Sequence, residues 1–231
     1  MRHIRKHLQK LRKIRRKHYH PLIHKIHKKH KISKKTLFYV KEYGPHTNVS
    51  KTIIKESIKI LILASIISSM GGLAIESIRT VFTSLIPLII LLPTLNSLVG
   101  GFGIIVSSHF STILHEGKLT GKLWKNKDTR KLSVQIIILA LVTTLISSSL
   151  AILISTFSGY GLNIASVSKI LFITIVDVVF IVSIIFLVSV YAGIYFYKKK
   201  EDPNNFLIPI TTSIADFGNM ILLSVLVILV F

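Results

Sequence analysis

Three polar residues near the C-terminus have the types and the spacing of a site for a hard cation. Thr212, Asp216 and Asn219 are four and three residues apart, so a helix would place them on one face. Hydroxyl, carboxylate and amide oxygens suit Mg²⁺, which keeps most of its water when a protein binds it. One carboxylate is too little to hold a dry dication. Two copies of the chain across a two-fold axis would supply two.

A second polar segment, residues 87–103, combines helix-disturbing residues with an amide. Pro87 and Pro93 each lack a backbone donor, and Asn96 follows them closely. The same segment contains Thr94, Ser97, Gly100, Gly101 and Gly103. Irregular backbone at membrane depth is tolerated where protein or water solvates the freed carbonyls, so we expect a broken helix in which Asn96 shapes a pore. A proline-kinked helix that packs through small residues is the alternative.

Other ionisable residues fall inside or beside apolar segments, where a charge is costly. Asp177 has no charged neighbour in the sequence, and it is a further candidate cation ligand or a partner for another helix. Glu76 precedes Arg79 by three residues, which favours an interfacial ion pair. His109 lies towards the end of its apolar segment, from which its side chain can reach the interface.

These residues belong to five apolar segments, each long enough to cross a hydrocarbon core of about 30 Å as a helix. The segments cover about residues 58–78, 81–114, 132–157, 167–197 and 206–231. A spanning backbone must satisfy its own hydrogen bonds, and the segments lack the alternation of barrel strands. The sequence therefore predicts an all-α membrane protein with five transmembrane helices, the second broken by proline and glycine. A soluble enzyme is excluded by this composition, and the lack of cysteine excludes thiolate metal sites.

The distribution of basic residues predicts the orientation in the membrane. The 30 Lys and Arg residues outnumber the 9 Asp and Glu residues, which gives a formal charge of +21. Basic residues concentrate before the first segment, between the second and third, and between the fourth and fifth. The positive-inside rule places all three basic regions in the cytoplasm. We therefore expect a multi-pass cell-membrane protein with a cytoplasmic N-terminus and an outside C-terminus.

The sequence divides into a basic cytoplasmic tail, residues 1–50, and a membrane transport domain, residues 51–231. Within the tail Ile4, Leu8, Leu11 and Ile14 recur at helical spacing among basic residues. This pattern predicts an amphipathic helix that ends near Pro21 and lies on anionic lipid headgroups. Solvated disorder is an alternative, as is contact with nucleic acid through charge alone. The scarcity of aromatic residues in the tail argues against a nucleic-acid platform.

Three histidines of the tail could share one helical face. His20, His24 and His27 are four and three residues apart, a spacing at which neutral imidazoles can bind Zn²⁺, Ni²⁺ or Co²⁺. Lysines surround them and no acidic residue is near enough to orient the rings, which opposes metal binding. A surface charge that changes with pH is the other interpretation, because histidine titrates close to neutrality.

Two segments resemble the membrane domain of the MgtE-type divalent cation transporters. One is the proline, asparagine and glycine pattern that starts at Pro93, includes Asn96 and ends at Gly117. The other is the sequence Asp-Pro-Asn-Asn at residues 202–205, followed by Ile208-Pro209 and the membrane residue Asp216. The resemblance extends over about residues 52–231, and the second segment is the more specific. Gly101, His109 and Ala215 depart from residues that are common in the family.

The resemblance implies a homodimer with a central pore lined by the second and fifth spans. It also implies that Asp216 of both subunits holds hydrated Mg²⁺, while the departures leave Co²⁺ and Mn²⁺ open. We expect transport without ATP, since the membrane potential attracts a dication and no phosphate-binding glycine loop occurs. The alternatives are an ion-coupled exchanger that uses Asp177 and a non-transporting anchor whose basic tail binds anionic lipid or nucleic acid.

Overall fold

A computed structural model describes residues 21–32, 36–37, 48–116 and 127–231 of the chain. In chain order its helices are α1 (Pro21–His30), α2 (Val49–Ser77), α3 (Arg79–Ser84), α4 (Ile86–His115), α5 (Lys127–Phe157), α6 (Ile164–Lys198) and α7 (Pro203–Val230). The described ranges contain no β-strand. Five of the helices, α2 and α4 to α7, are long and apolar enough to cross a membrane. The predicted all-helical, five-span architecture is therefore confirmed.

Polar residues mark the starts of three of these helices. The side chains of Asn48, Asn163 and Asp202 each accept a backbone N–H of the first turn, at 3.2, 2.7 and 3.1 Å. Because those first-turn donors have no partner within the helix, a side-chain oxygen at this position satisfies one of them. The helices α2, α6 and α7 thus begin several residues before their apolar segments do.

The interruption of the second span lies at a different place from the one predicted. The short helix α3 ends at Ser84, and Leu85 separates it from α4. Pro87 follows in the first turn of α4, where a missing N–H removes no helical hydrogen bond. From there α4 continues without a break through Pro93 and the glycines at 100–103. The predicted break at those residues is thereby corrected to a break at Leu85.

Helix α7 is the centre of the bundle, and it packs against α2, α4 and α6. Two glycines allow the close approach. A Cβ on Gly71 of α2 would lie 2.9 Å from the Met220 sulfur, and one on Gly103 of α4 would lie 3.1 Å from the Thr211 hydroxyl oxygen. Helix α5 packs on the other side of the bundle, against α4 and α6. The helix with the predicted cation ligands is therefore enclosed on three sides.

The core follows a stripe of apolar residues at intervals of three and four. On α4 this stripe consists of Leu88, Leu91, Leu95, Val99, Phe102, Val106 and Phe110, all of them buried. The opposite faces of the helices, and most of α2, expose apolar side chains to the surroundings. A lipid environment suits such exposed faces, because it removes the cost of contact between water and apolar side chains.

The predicted tail helix around Ile4 to Ile14 lies outside the described residues. Helix α1 begins at Pro21, the position near which that predicted helix was expected to end. Of the three predicted histidines, His20 and the side chain of His24 also lie outside the described part. His27 is described, and its ring nitrogen Nδ1 lies 2.6 Å from the carbonyl oxygen of Ile32. The histidine metal site remains a prediction.

Candidate cation site

Asp216 lies about halfway along the 28-residue helix α7 and is only half-buried. The Ser68 hydroxyl of α2 donates a hydrogen bond to its Oδ2 atom at 3.2 Å. This bond orients the carboxylate and leaves Oδ1 available to another ligand. Because α2 and α7 approach closely at Gly71, one turn along α2, the serine can reach across the helix interface.

Two amides meet three residues further along α7. The Asn219 amide nitrogen donates a hydrogen bond to the Oδ1 atom of Asn96 on α4. Asn219 is buried, and within the described part of the chain its own Oδ1 has no hydrogen-bond partner. A buried amide oxygen without a donor is costly in a protein interior, so this oxygen is suited to accept from water or a ligand. Asn96 and Asn219, predicted from separate segments, are thus brought together.

Thr212 lies one turn before Asp216 and is half-buried. Its hydroxyl donates to the Ile208 carbonyl of its own helix at 2.9 Å. A hydroxyl oxygen that donates its hydrogen to the backbone keeps its lone pairs for a cation or for water. Thr212, Asp216 and Asn219 therefore present hydroxyl, carboxylate and amide oxygens along neighbouring turns of α7.

A cluster of hydroxyl groups links α4, α6 and α7 between this region and the start of α7. The Ser107 hydroxyl lies 3.1 Å from that of Thr211 and 3.4 Å from that of Ser189. All three residues are fully buried. Their mutual hydrogen bonds satisfy polar groups that would otherwise be unpaired, so this cluster fixes the packing of the three helices.

Asp177 lies on another helix, α6, which packs against α7. It is fully buried, and neither of its carboxylate oxygens has a hydrogen-bond partner among the described residues. No hydrogen bond therefore joins it to Asp216, Asn96 or Asn219. Thr174, one turn earlier, forms a hydroxyl pair with Ser148 of α5 at 2.9 Å. The structure thus joins Asn96 to Asn219 and places Thr212 and Asp216 on the same helix as Asn219, whereas Asp177 lies on the adjoining α6.

Ser68 was not predicted as a partner of Asp216, because the two residues are 148 positions apart in the chain. A second contact between α2 and α7 could have been predicted in part from the position of Pro209. Pro209 has no N–H, so the carbonyl of Asn205, four residues earlier, receives no helical bond from it. The Ser57 hydroxyl donates to that carbonyl at 3.2 Å, and the Asn205 amide donates to Glu56 at 2.7 Å.

The predicted interfacial ion pair is also present. Arg79 lies 3.4 Å from Glu76, and both side chains are exposed at the end of α2. An exposed pair of this kind contributes at most about 1 kcal/mol. Among the described residues no group of three or more His, Cys, Asp or Glu side chains could hold a metal ion. The oxygens around Asp216 are therefore suited to a hydrated cation and not to a closed metal cage.

Five helices long and apolar enough to cross a membrane define a multi-pass membrane protein, and Thr212, Asp216 and Asn219 lie along the last of them. Residues 92–226, more than half of the chain, match the family model of MgtE, the divalent cation transporters. The chain belongs to this family, which confirms the resemblance inferred from the sequence. The matched range includes Asn96, Asp177 and the three ligands of α7. No curated protein and no solved structure matches the chain.

Proposed function

We propose that two copies of the chain conduct hydrated Mg²⁺ across the cell membrane through a pore at their two-fold axis. Asp216 of each subunit is the filter, and Asn96, Thr212 and Asn219 hydrogen-bond the water carried by the ion. Residues 51–231 form the transport domain. The basic ends of the helices face the cytoplasm, which gives a cytoplasmic N-terminus and an outside C-terminus.

The half-buried carboxylate of Asp216 is the observation that carries this proposal. An acid at the bilayer centre costs at least about 2.5 to 3.5 kcal/mol on insertion scales, so such residues face a partner or water. Its only described partner, Ser68, is neutral and makes one hydrogen bond. Ser68 leaves the negative charge of Asp216 without a counterion. A dication bound between the Asp216 carboxylates of two subunits would neutralise that charge.

The exposed face of α4 supports the homodimer. A Cβ on Gly100 or Gly101 would have no atom within 4 Å in the described chain. Two glycines without neighbouring atoms on a membrane helix allow a second backbone to approach closely, as small residues do in membrane interfaces. Asn96 lies one turn from Gly100, so a partner seated here would enclose the amide pair.

The driving force for inward movement is the membrane potential. Each unit charge gains about 2.3 kcal/mol per 100 mV, so a dication gains about twice that, and no ATP is required. Oxygen ligands that act through water favour Mg²⁺, the ion that dehydrates least readily. Co²⁺ and Mn²⁺ are the competing cargoes, and flux measured for each ion separates them.

The proposal is tested by ion uptake into liposomes that contain the purified full-length protein. We expect Mg²⁺ uptake in the unmodified protein and its loss in Asp216→Ala. The control is Asp177→Ala, which removes another carboxylate of the spanning helices and should leave uptake intact. Equal uptake in the Asp216 variant and the unmodified protein would refute the assigned filter, and no uptake in any sample would favour the non-transporting anchor.

The unpartnered carboxylate of Asp177 favours a second candidate, an exchanger coupled to H⁺ or Na⁺. A buried carboxylate without hydrogen bonds is more stable with a bound proton than as an ion, so it can exchange one. If this is correct, divalent flux depends on an imposed H⁺ or Na⁺ gradient, and Asp177→Asn removes that dependence. The pore proposal predicts flux that follows the voltage alone and persists in Asp177→Asn.

A further inference from the structure

A cleft of about 720 Å³ opens between α2 and the connection from α6 to α7. Four lysines line it, and Ile60 and Phe206 form an apolar wall. We call it the basic cleft; its lysines are Lys55, Lys59, Lys199 and Lys200. We propose that the basic cleft binds the phosphate headgroup of an anionic membrane phospholipid.

Helix α2 supplies one side of the basic cleft through regular helical spacing. Lys55 and Lys59 are one turn apart and therefore share a face, and Ile60 is adjacent to it. The uncharged part of α2 begins at Ile60, and that of α6 ends at Tyr197. The lysines therefore lie where the apolar parts of both helices end, which is the depth of lipid headgroups.

The lysines of the basic cleft are weakly compensated. Two carboxylates, Glu56 and Glu201, also line it, so the lining has more positive than negative groups. Glu56 accepts a hydrogen bond from the Asn205 amide. Within the described part of the chain Lys55, Lys59 and Lys200 form no ion pair. Three ammonium groups around one cleft suit a phosphate diester, because each lysine is a point charge and several can contact one phosphate.

The backbone at Lys200 is a second, independent observation. Its φ of 73° lies in the left-handed region, where glycine is the usual residue. The amide of Lys200 donates to the Tyr197 carbonyl and that of Glu201 to the Phe196 carbonyl, which is the Schellman arrangement at a helix end. A lysine at this position is strained relative to glycine, and such strain is retained where the side chain has a use.

The apolar wall makes a lipid a better occupant than a soluble phosphate. The Phe206 ring stacks on Phe196 at a centroid distance of 4.2 Å, and α2 exposes apolar side chains after Ile60. A phospholipid can place its headgroup on the lysines and its acyl chain along Ile60 and that face. The basic tail of the chain itself carries the wrong charge to fill the cleft.

The test is lipid binding by the full-length protein, measured by native mass spectrometry with phosphatidylglycerol and with phosphatidylcholine of the same chains. We expect phosphatidylglycerol to bind more tightly, and Lys59→Gln/Lys200→Gln to lose about fivefold in affinity for each lysine. Arg130→Gln/Lys131→Gln removes the same charge from the start of α5 and is the matched control. An equal loss in the control, or equal binding of the two lipids, would overturn the proposal.

Two further experiments complete the test. The first separates a loss of binding from a loss of folding, and the second separates a lipid ligand from a soluble anion. Lys200→Gly relieves the backbone strain, so its melting temperature in phosphatidylcholine should equal or exceed that of the unmodified protein. Its additional stabilisation by phosphatidylglycerol should nevertheless fall. If that stabilisation is unchanged, Lys200 is not part of the site. Millimolar inorganic phosphate should not displace the lipid. Complete displacement would show that the basic cleft binds a soluble phosphate and would overturn the lipid proposal.

Discussion

At the scale of single residues, the proposed function depends on the surroundings of one carboxylate, Asp216. Asp216 receives a hydrogen bond from Ser68 and stands three residues from the Asn96–Asn219 amide pair. Each neighbour is neutral, so the carboxylate is the only formal charge among these four side chains. A hydrated dication fits this arrangement, because its water can donate to the amide and hydroxyl oxygens while its charge is shared with the acid.

Ser68→Ala tests the orientation of the carboxylate without a change in charge. Loss of one hydrogen bond to a charged group is worth about 1.5 to 3 kcal/mol at most, so Mg²⁺ flux should fall by roughly tenfold while the fold persists. The measurement is uptake into liposomes. Ser69→Ala is the matched control, because the Ser69 hydroxyl bonds only its own helix at the Ser65 carbonyl. Equal flux in the two variants would contradict the role of Ser68.

Ser57→Ala tests the carbonyl that Pro209 leaves free. The substitution removes the donor to the Asn205 carbonyl, and a buried unsatisfied carbonyl costs about 1 to 3 kcal/mol. We expect a lower melting temperature in detergent, by several degrees. Ser77→Ala removes a hydroxyl that bonds only within its own helix and should leave the melting temperature unchanged. A Ser57 variant as stable as the unmodified protein would show that water replaces the serine.

At the scale of the helices, close approach of α7 to two neighbours positions the site. Gly71 brings α2 within reach of Asp216, and Gly103 brings α4 within reach of Thr211. Both glycines are points where a side chain would collide with α7. The distance between helices, more than the helix lengths, therefore determines which oxygens meet.

Gly103→Val tests that distance. The added side chain would meet Thr211 at 3.1 to 3.2 Å, so α4 and α7 must separate. Overpacking of this kind costs about 1 to 3 kcal/mol and should lower the melting temperature. A Cβ on Gly72 has no atom within 4 Å, so Gly72→Val is the control and should differ little. Equal stability of the two variants would argue against close packing at Gly103.

The helices were predictable to within several residues, and the contacts between them only in part. Apolar length alone located five spans, because the cost of unpaired backbone in lipid leaves helices as the only choice. The start of α2 at Val49 was missed, since basic residues between 51 and 59 interrupt the apolar segment. The expected break at Pro93 did not occur, because a membrane helix tolerates the loss of one bond.

The spacing of Thr212, Asp216 and Asn219 placed the predicted α7 ligands on one face. The contact of Ser68 with Asp216 depends on tertiary packing, which the sequence pattern does not indicate.

At the scale of the whole molecule, one copy of the chain supplies a single carboxylate, Asp216, to the proposed filter. A second copy would double it, and the bare glycines of α4 offer a surface for that copy. The exposed apolar faces that remain suit the lipid. The proposed pore therefore depends on the dimer, while the fold of each subunit does not.

Gly101→Leu separates assembly from folding. The side chain has room within one subunit, where no atom lies within 4 Å, but it would block close approach of a second α4. We expect a normal melting temperature in detergent together with a loss of the dimer in chemical cross-linking, and a loss of Mg²⁺ flux. If the Gly101 variant still forms the dimer and has full flux, the subunit interface does not include this part of α4.

The charge of Asp216 is tested most directly by Mg²⁺ flux in Asp216→Asn and Asp216→Glu, measured with a Mg²⁺-sensitive dye inside liposomes at a fixed membrane potential. The asparagine keeps the size of the side chain and can still accept from Ser68, but it removes the charge, so flux should fall by at least about tenfold. The glutamate restores the charge and should recover part of the flux. Flux in Asp216→Asn equal to that of the unmodified protein would contradict the assignment of this carboxylate as the filter.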